Sequence, residues 1–538
     1  MTRNLNIIFI KATVIVAFFS AGLITVNAQS YNQTKEAAKF NSFMDYLNYT
    51  YVDEVDQSDL TEKAIVSVLK ELDPHSVYIP KEELKAMNEP LVGNFEGIGI
   101  EFQILHDTIQ VTATVPGGPS EKIGIMAGDR IVKIEDETVA GTGITNRDVI
   151  KKLRGNKGTK VKVEMARRGS QGLQEFVITR DKIPLYSVDA SYLAAPEIGY
   201  IKVNRFSDTT SEEFRKALDK VTALGAKNLI LDLTGNGGGY MNRAIEMADE
   251  FLADDKLVVY TEGRANPRQE YKATRQGMFE KGKVVVLIDE GSASASEIVS
   301  GALQDWDRGL VIGRRSFGKG LVQKPIMLPD GSAIRLTTAR YYTPSGRSIQ
   351  KPYENGLEDY NQDMSNRLKK GELTSADSIH FPDSLKYLTS NKRVVFGGGG
   401  IMPDVFVPLD TSDVTAYYRQ VQRSGLMSQF AVTHIDNNRN SFLKSYANAE
   451  AFKTTFEVDK ALMEKFLAFA EKEDVKRSEA DLAISSDLIK TQLKALMARN
   501  LWDLEAYYFI INDINPSFQK AVEAIKDKTF EEMKIVSN

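Results

Sequence analysis

Apolar positions along this chain change their spacing, and the changes divide it. Within residues 29–90, Phe43, Tyr46 and Leu47 recur at i, i+3 and i+4. A second set, Leu60, Ile65, Val68, Leu69 and Leu72, keeps helical spacing until Asp73-Pro74 closes the helix. From 91 to 185 the period shortens. Glycines at 93, 97 and 99 precede strand 108–115, a Pro116-Gly117-Gly118-Pro119 turn and a short helix from Ser120. A turn at Ala127-Gly128-Asp129, the strand Arg130–Ile134 and strands near 160–166 and 174–180 follow. This predicts a small β-rich module with one or two short helices.

Residues 186–350 alternate. Strands at 199–203, 228–233 and 283–288 are each followed by a helix, at 210–223, 241–252 and 295–305. That order predicts an α/β domain with parallel strands. Residues 351–400 are polar and irregular and end in glycines 397–400, a long loop of a functional or disordered kind. Residues 412–538 read as helical throughout, with Leu462, Phe466 and Phe469 on one stripe. Asn515-Pro516 reads as N-cap and first residue of a last helix. The predicted fold class is α/β and multidomain. Its core is 186–411 with 351–400 inserted, joined to the β-rich module 91–185, an N-terminal helical segment 29–90 and a C-terminal helical domain 412–538.

Residues 1–28 read as an address. Arg3 and Lys11 supply positive charge, Ala12 to Thr25 is an uncharged, mostly apolar run, and Val26-Asn27-Ala28 offers small residues for cleavage. The run is short for a membrane helix, which needs about 20 residues. An uncleaved anchor over residues 5–26, with Lys11 snorkelling, is the alternative. Cleavage removes two positive charges and takes the formal charge from −5 to −7. The expectation is an exported protein of a bacterial periplasm or cell envelope, with a membrane contact only through this segment if it stays uncleaved.

Composition then removes chemistries. At 42% apolar and 26% charged residues the chain is an ordinary globular one, and its 538 residues suit roughly three to five domains. The absence of cysteine excludes disulfides, thiolate metal sites and cysteine nucleophiles. The four histidines, His75, His106, His380 and His434, are scattered and form no HExxH pair. No metal or other cofactor is expected, and no basic run points to nucleic acid. Gly313 to Gly320 reads G-x-x-x-x-G-K-G, close to a phosphate loop. Gly320 stands where that loop needs Ser or Thr, and the strand-like run Leu321–Met327 follows in place of a helix.

Two stretches carry chemistry. In "LILDLTGNGGGY", 229–240, a buried strand runs into Gly237-Gly238-Gly239. The bland reading is a tight turn; the functional one is a cradle of backbone N–H groups for an oxyanion or phosphate. In 284–323 a strand delivers the chain to Gly291, then Ser292, Ser294 and Ser296 precede an amphipathic helix. Hydrolases place nucleophiles at such strand-to-helix turns. Lys319 lies 25 residues beyond Ser294, between Gly318 and Gly320. With histidine scarce, a neutral lysine amine can serve as the base, provided burial lowers its pKa. Gln323 offers a neutral amide that could orient this amine without holding it protonated.

"SASASEI", "FGKGLVQ", "LILDLTGNGGGY" and "YYTPSGRSIQ" together resemble the C-terminal processing peptidases, or tail-specific proteases, over roughly residues 60–410. The resemblance implies a serine endopeptidase with Ser294 as nucleophile, Lys319 as general base and Gln323 as its orienting partner. It implies an oxyanion hole from the N–H of Ala295 and of a glycine, Gly238 in preference to Gly237. Ser292 and Ser296 are left as packing or hydrogen-bonding residues. "NFEGIGIEF" with "GPSEKIGIMAGDRIVKI" resembles a PDZ domain. Gly97, Ile98, Gly99 and Ile100 would then present N–H groups to a terminal carboxylate, with Ile98 and Ile100 near a pocket for the last side chain and the following strand pairing with the substrate tail.

The partners this implies are polypeptides with exposed C-terminal tails. The 351–400 insertion and the helical tail depart from the family pattern, and the tail could dock an adaptor, cover the site or drive self-association. A PDZ-bearing envelope scaffold or adaptor, with a silent or partner-gated core, is the rival class; an esterase or amidase using the same dyad is a weaker one.

Overall fold

The computed structural model describes residues 35–535 apart from 168, so the expected signal segment lies outside the described residues. Two compact units divide at Val68 and Leu69. The first holds the helix Lys35–Thr50, which buries none of its residues, and most of the helix Gln57–Lys70.

The second unit is built on a six-stranded sheet in the order Val188–Ala195, Ile198–Val203, Asn228–Asp232, Val284–Ile288, Leu310–Gly313, Val405–Phe406. The first pair is antiparallel and the rest are parallel. Its central strands are apolar on both faces, as a sheet covered on both sides must be. Leu229, Leu231, Val284, Val286 and Ile288 face the helices Thr210–Ala223, Met241–Asp249 and Ala295–Asp305. The alternate positions, Ile230, Val285, Leu287, Leu310 and Ile312, face Phe518, Ala521, Ala524 and Ile525 of the helix Pro516–Lys526. Asn515 caps that helix through its side chain, as expected, but one further turn, Thr529–Glu532, follows it.

A second, antiparallel sheet joins Val77–Ile79, Ala333–Tyr342, Leu257–Gly263 and Asn266–Lys272, with Leu321–Met327 also on Ala333–Tyr342. This corrects the reading of 29–90 as wholly helical. Val77–Ile79 becomes a strand because Ala333–Ile334–Arg335 offers it a backbone edge, a long-range partner that helical periodicity cannot show. The 351–400 segment is corrected as well. It contains the helix Leu357–Lys369 and the pair Lys386–Leu388 with Val394–Phe396, and buries Tyr360 and Arg367.

The β-rich module has its own core around Ile109, Val111, Ile131, Val163 and Ile178. Its two ends run side by side, Asn94–Gly97 pairing with Asp181–Pro184. The C-terminal helices from Ala416 to Ile511 enclose a separate core with Phe452 and Phe466 at its centre. An ion pair of 2.7 Å joins Arg499 of these helices to Glu101 of the β-rich module. Among the described residues no helix is long and apolar enough to cross a membrane, and no cluster of His, Asp or Glu could hold a metal.

Candidate active site

Strand Val284–Ile288 ends in a sharp turn that enters the helix Ala295–Asp305 at Ser294. There φ is +55° and ψ is −111°, a conformation that costs a residue with a side chain of order 1–3 kcal/mol. Ser294 is also the residue between 292 and 305 that keeps solvent exposure; its neighbours in that stretch are buried. The surroundings hold it there. Its N–H donates to Glu297 Oε2 at 2.7 Å, and its carbonyl accepts from the Tyr341 hydroxyl at 3.1 Å.

The flanking serines bond as the sequence suggested. Ser292 Oγ donates to the Leu233 carbonyl at 2.9 Å, and Ser296 Oγ to the Asn236 carbonyl at 2.8 Å. Both therefore stitch the serine turn to the glycine turn. Asn236, fully buried, completes the stitching: its Nδ2 donates to the Val203 carbonyl at 2.9 Å.

The glycines of that turn divide by what surrounds them. Gly238 has φ +96°, and a β-carbon there would stand 2.8 Å from Ser294 Cβ and 3.0 Å from the Ala295 nitrogen. The turn thus lies directly against the serine. The Gly238 N–H donates to Asn236 Oδ1 at 2.9 Å, whereas the amides of Gly237 and Ala295 find no backbone acceptor among the described residues. At Gly239 a β-carbon would fall 2.1 Å from the Phe206 carbonyl oxygen; at Gly237 it would meet nothing within 4 Å. Gly239→Ala should therefore cost about 1–3 kcal/mol or more through forced backbone movement, while Gly237→Ala changes stability by less than about 0.5 kcal/mol. Urea denaturation of the two variants checks this.

Lys319 sits on the loop between Leu310–Gly313 and Leu321–Met327. One carboxylate aligns this loop with the serine. Buried Glu297 accepts from Gly318 N at 2.7 Å and Lys319 N at 2.9 Å, beside the bond from Ser294 N, and from Ser316 Oγ. Burial pushes its carboxyl pKa up, and the four donors oppose that rise. On its carbonyl side the loop is gripped by the insertion. Arg367, buried on the helix Leu357–Lys369, donates to the Ser316 carbonyl at 2.8 Å and the Phe317 carbonyl at 3.2 Å. The Lys351 amine lies 4.1 Å from the Phe317 ring centre and 4.0 Å from that of Tyr360.

The Lys319 side chain is half-buried. Burial lowers its pKa, nearby Arg335 lowers it further, and Glu297 and Asp73 pull the other way. Its amine has no ion pair among the described residues. His75, placed by sequence only at a helix end, is close enough to feel this charge. Burial first, then Lys319, brings its pKa down to about 4, and its Nε2 lies 2.7 Å from the Tyr360 hydroxyl. Gln323 is on the strand after the loop, opposite Thr337, and its Nε2 donates to Thr337 Oγ1 at 3.2 Å.

In the β-rich module, the amides of Ile98 and Gly99 find no backbone acceptor among the described residues, and Gly99 has φ +74°. The Ile98 carbonyl accepts from both the N–H and the hydroxyl of Ser120. The Ile98 side chain is 3% exposed and lies in the module core, with Ile100 only partly buried against it. The turn at Gly97–Gly99 aims the Ile98 side chain inward, while Ile100, like Phe102 and Ile104, stays partly exposed.

Sequence reasoning missed Glu297, Asn236 and Arg367. Glu297 had a local signal, since Ser294-x-x-Glu297 is the capping-box spacing at a helix start.

Fold and site together define a PDZ-bearing serine peptidase, and comparison with known proteins gives that class. The Peptidase family S41 profile matches residues 197–359 and the PDZ domain profile 110–167. The N-terminal domain profile of activating protease CtpB matches 17–83, and a family of unknown function matches 417–503. The carboxy-terminal-processing protease of Bartonella bacilliformis is 36% identical over 347 residues, 64% of this chain and 78% of its own. The carboxy-terminal processing protease CtpA of Bacillus subtilis is 35% identical over 360 residues, 65% and 76% of the two chains. CtpB of the same organism is 33% identical over 373 residues, 69% and 75%. The chain belongs to the carboxy-terminal-processing protease family, and it is a serine-type peptidase.

Proposed function

We propose that this protein is an exported endopeptidase that captures polypeptide C-terminal tails with its PDZ domain and cleaves peptide bonds through a Ser294–Lys319 dyad. One observation carries this reading: a strained, partly exposed serine and a half-buried lysine without an ion pair among the described residues hang from a single buried carboxylate, Glu297.

The Ser294 hydroxyl attacks the scissile carbonyl while the neutral Lys319 amine takes its proton. The oxyanion is met by the Ala295 N–H and an N–H of the glycine turn, each donor typically worth roughly 3 kcal/mol. Gly238 touches the serine, and its N–H exchanges Asn236 Oδ1 for the oxyanion; Gly237 is the alternative donor. Lys319 returns the proton to the leaving amine as the C–N bond breaks and an ester to Ser294 remains. Water then attacks the ester, Lys319 accepts its proton, and the serine is released with that proton. Gln323 orients the lysine amine. No metal, nucleotide or other cofactor enters the scheme.

In the PDZ domain the free amides at Ile98 and Gly99 suit a terminal carboxylate, and the strand Ile100–Leu105 suits pairing with the tail. The charge and apolar run of residues 1–28 support export to a periplasm or cell envelope. The C-terminal helices are the surface we assign to an adaptor or to self-association.

The chain lacking residues 1–28 should digest unfolded proteins with apolar tails. Amidating the tail carboxylate should lower kcat/KM by about tenfold or more, since it removes a charge-assisted contact worth roughly 1.5–3 kcal/mol. A fluorophosphonate should label Ser294. A protein that binds tails yet neither cleaves them nor takes the label is the scaffold of the rival reading.

A further inference from the structure

We infer that Asp73 and Thr337 fix which way the Gln323 carboxamide faces, and through it set the lysine base. Both are positioning residues, and the inference rests on the dyad reading above. The polarity of the hydrogen bonds carries it. Asp73 Oδ1 accepts from the backbone N–H of His75 at 2.8 Å and of Ser76 at 2.9 Å. Amide N–H groups only donate, so this oxygen carries no proton. Thr337 Oγ1 lies 3.0 Å from the same oxygen and must spend its single proton there. It is then an acceptor towards Gln323, 3.2 Å away, and only the amide nitrogen can face it.

The carbonyl oxygen of Gln323 is thereby turned the other way. It has no protein donor among the described residues, and Asp73, which anchors this network, is near enough to Lys319 to act on its charge. An acceptor there holds the amine by one of its N–H bonds and leaves the nitrogen lone pair for the serine proton. The reversed amide would offer N–H to that lone pair and occupy it. The anchor is itself rigid. Ser76 Oγ donates to Asp73 Oδ2 at 2.6 Å and accepts from the Thr337 backbone N–H at 3.1 Å, locking the segment after Pro74 to the strand Ala333–Tyr342.

Charged and titratable groups around the lysine are Arg335, Glu297, Asp73 and His75, so charge and polarity must be separated by experiment. Thr337→Val keeps shape and removes the acceptor. It should lower kcat by about ten- to a hundredfold, part of what general-base catalysis supplies, with KM unchanged. Thr337→Ser should restore most of the loss. Asp73→Asn keeps an oxygen under the two amides, so Thr337 still donates to it. Its kcat plateau should fall less than that of Thr337→Val, since only the Ser76 Oγ bond to Oδ2 is lost, while the acid limb of the kcat–pH profile moves to lower pH because a charge favouring protonated Lys319 is gone. All variants are compared by melting temperature and by fluorophosphonate labelling of Ser294. A Thr337→Val enzyme with parental kcat and pH profile overturns the inference. A parent that takes no label, or a Lys319→Ala variant that cleaves normally, overturns the dyad reading instead.

Discussion

Ser294→Ala and Lys319→Ala should each reduce peptide hydrolysis by about 10⁴-fold or more, and the double variant should be no slower than either. In the proposed dyad the two groups act as one unit: without the base the hydroxyl is a weak nucleophile, and without the hydroxyl the base has no proton to take. Steady-state cleavage of one unfolded substrate, with circular dichroism as the folding control, measures this. Additive losses would show two independent contributions and break the dyad. The pH profile has a fixed sign. Lys319 must be neutral to act, so kcat rises with pH through the pKa of the folded enzyme and is flat above it. Burial has lowered that pKa, which brings the limb below the usual lysine range. The same shift bears on stability. The unfolded chain binds this proton more tightly than the folded one, so the lysine costs stability at pH values below its folded pKa, and the cost disappears above its unfolded pKa. Lys319→Met should accordingly melt no lower than the parent at neutral pH while being inactive.

Glu297→Gln should be nearly as damaging, although it alters neither the nucleophile nor the base. The carboxylate accepts from Ser294 N and Lys319 N on one oxygen and from Gly318 N and Ser316 Oγ on the other. A carboxamide has one acceptor. Turned one way, its NH₂ faces the N–H groups of Ser294 and Lys319; turned the other, it faces the Gly318 N–H and a Ser316 hydroxyl that loses its acceptor. Leaving two buried groups unsatisfied costs about 1–3 kcal/mol each, and the serine turn and lysine loop lose their common anchor. The variant should show a lower urea midpoint and a fluorophosphonate labelling rate down by about a hundredfold or more, since displacements of about 1 Å cost that much. Labelling at the parental rate would remove Glu297 from the alignment of the site.

The parts of this enzyme that were legible in its sequence are those whose partners lie nearby. Both faces of the central strands are apolar, so 228–233 and 283–288 announce themselves, and the serine turn and glycine turn follow directly from their ends. Ser294 and Lys319 fall within one stretch of chain, and Glu297, which was overlooked, lies in that same stretch. Asp73 and Thr337 meet across 264 positions, and His75 and Tyr360 across 285. No periodicity records such meetings. The insertion misled for a related reason. Its helix Leu357–Lys369 is polar because it buries guanidinium and ammonium groups against carbonyls and rings rather than an apolar stripe, and polarity without apolar period looks like loop.

The carboxylate that ties serine to lysine belongs to the same uninterrupted segment, 292–320, as both of them. Such a segment carries its own alignment with it. In a lineage that diversifies by exchanging or redesigning parts, it can be inherited as a block, since its internal distances need no agreement from the PDZ domain or the terminal helices. Those parts are then free to change allegiance, acquiring new cargo, new tethers or new partners, without re-deriving the chemistry each time.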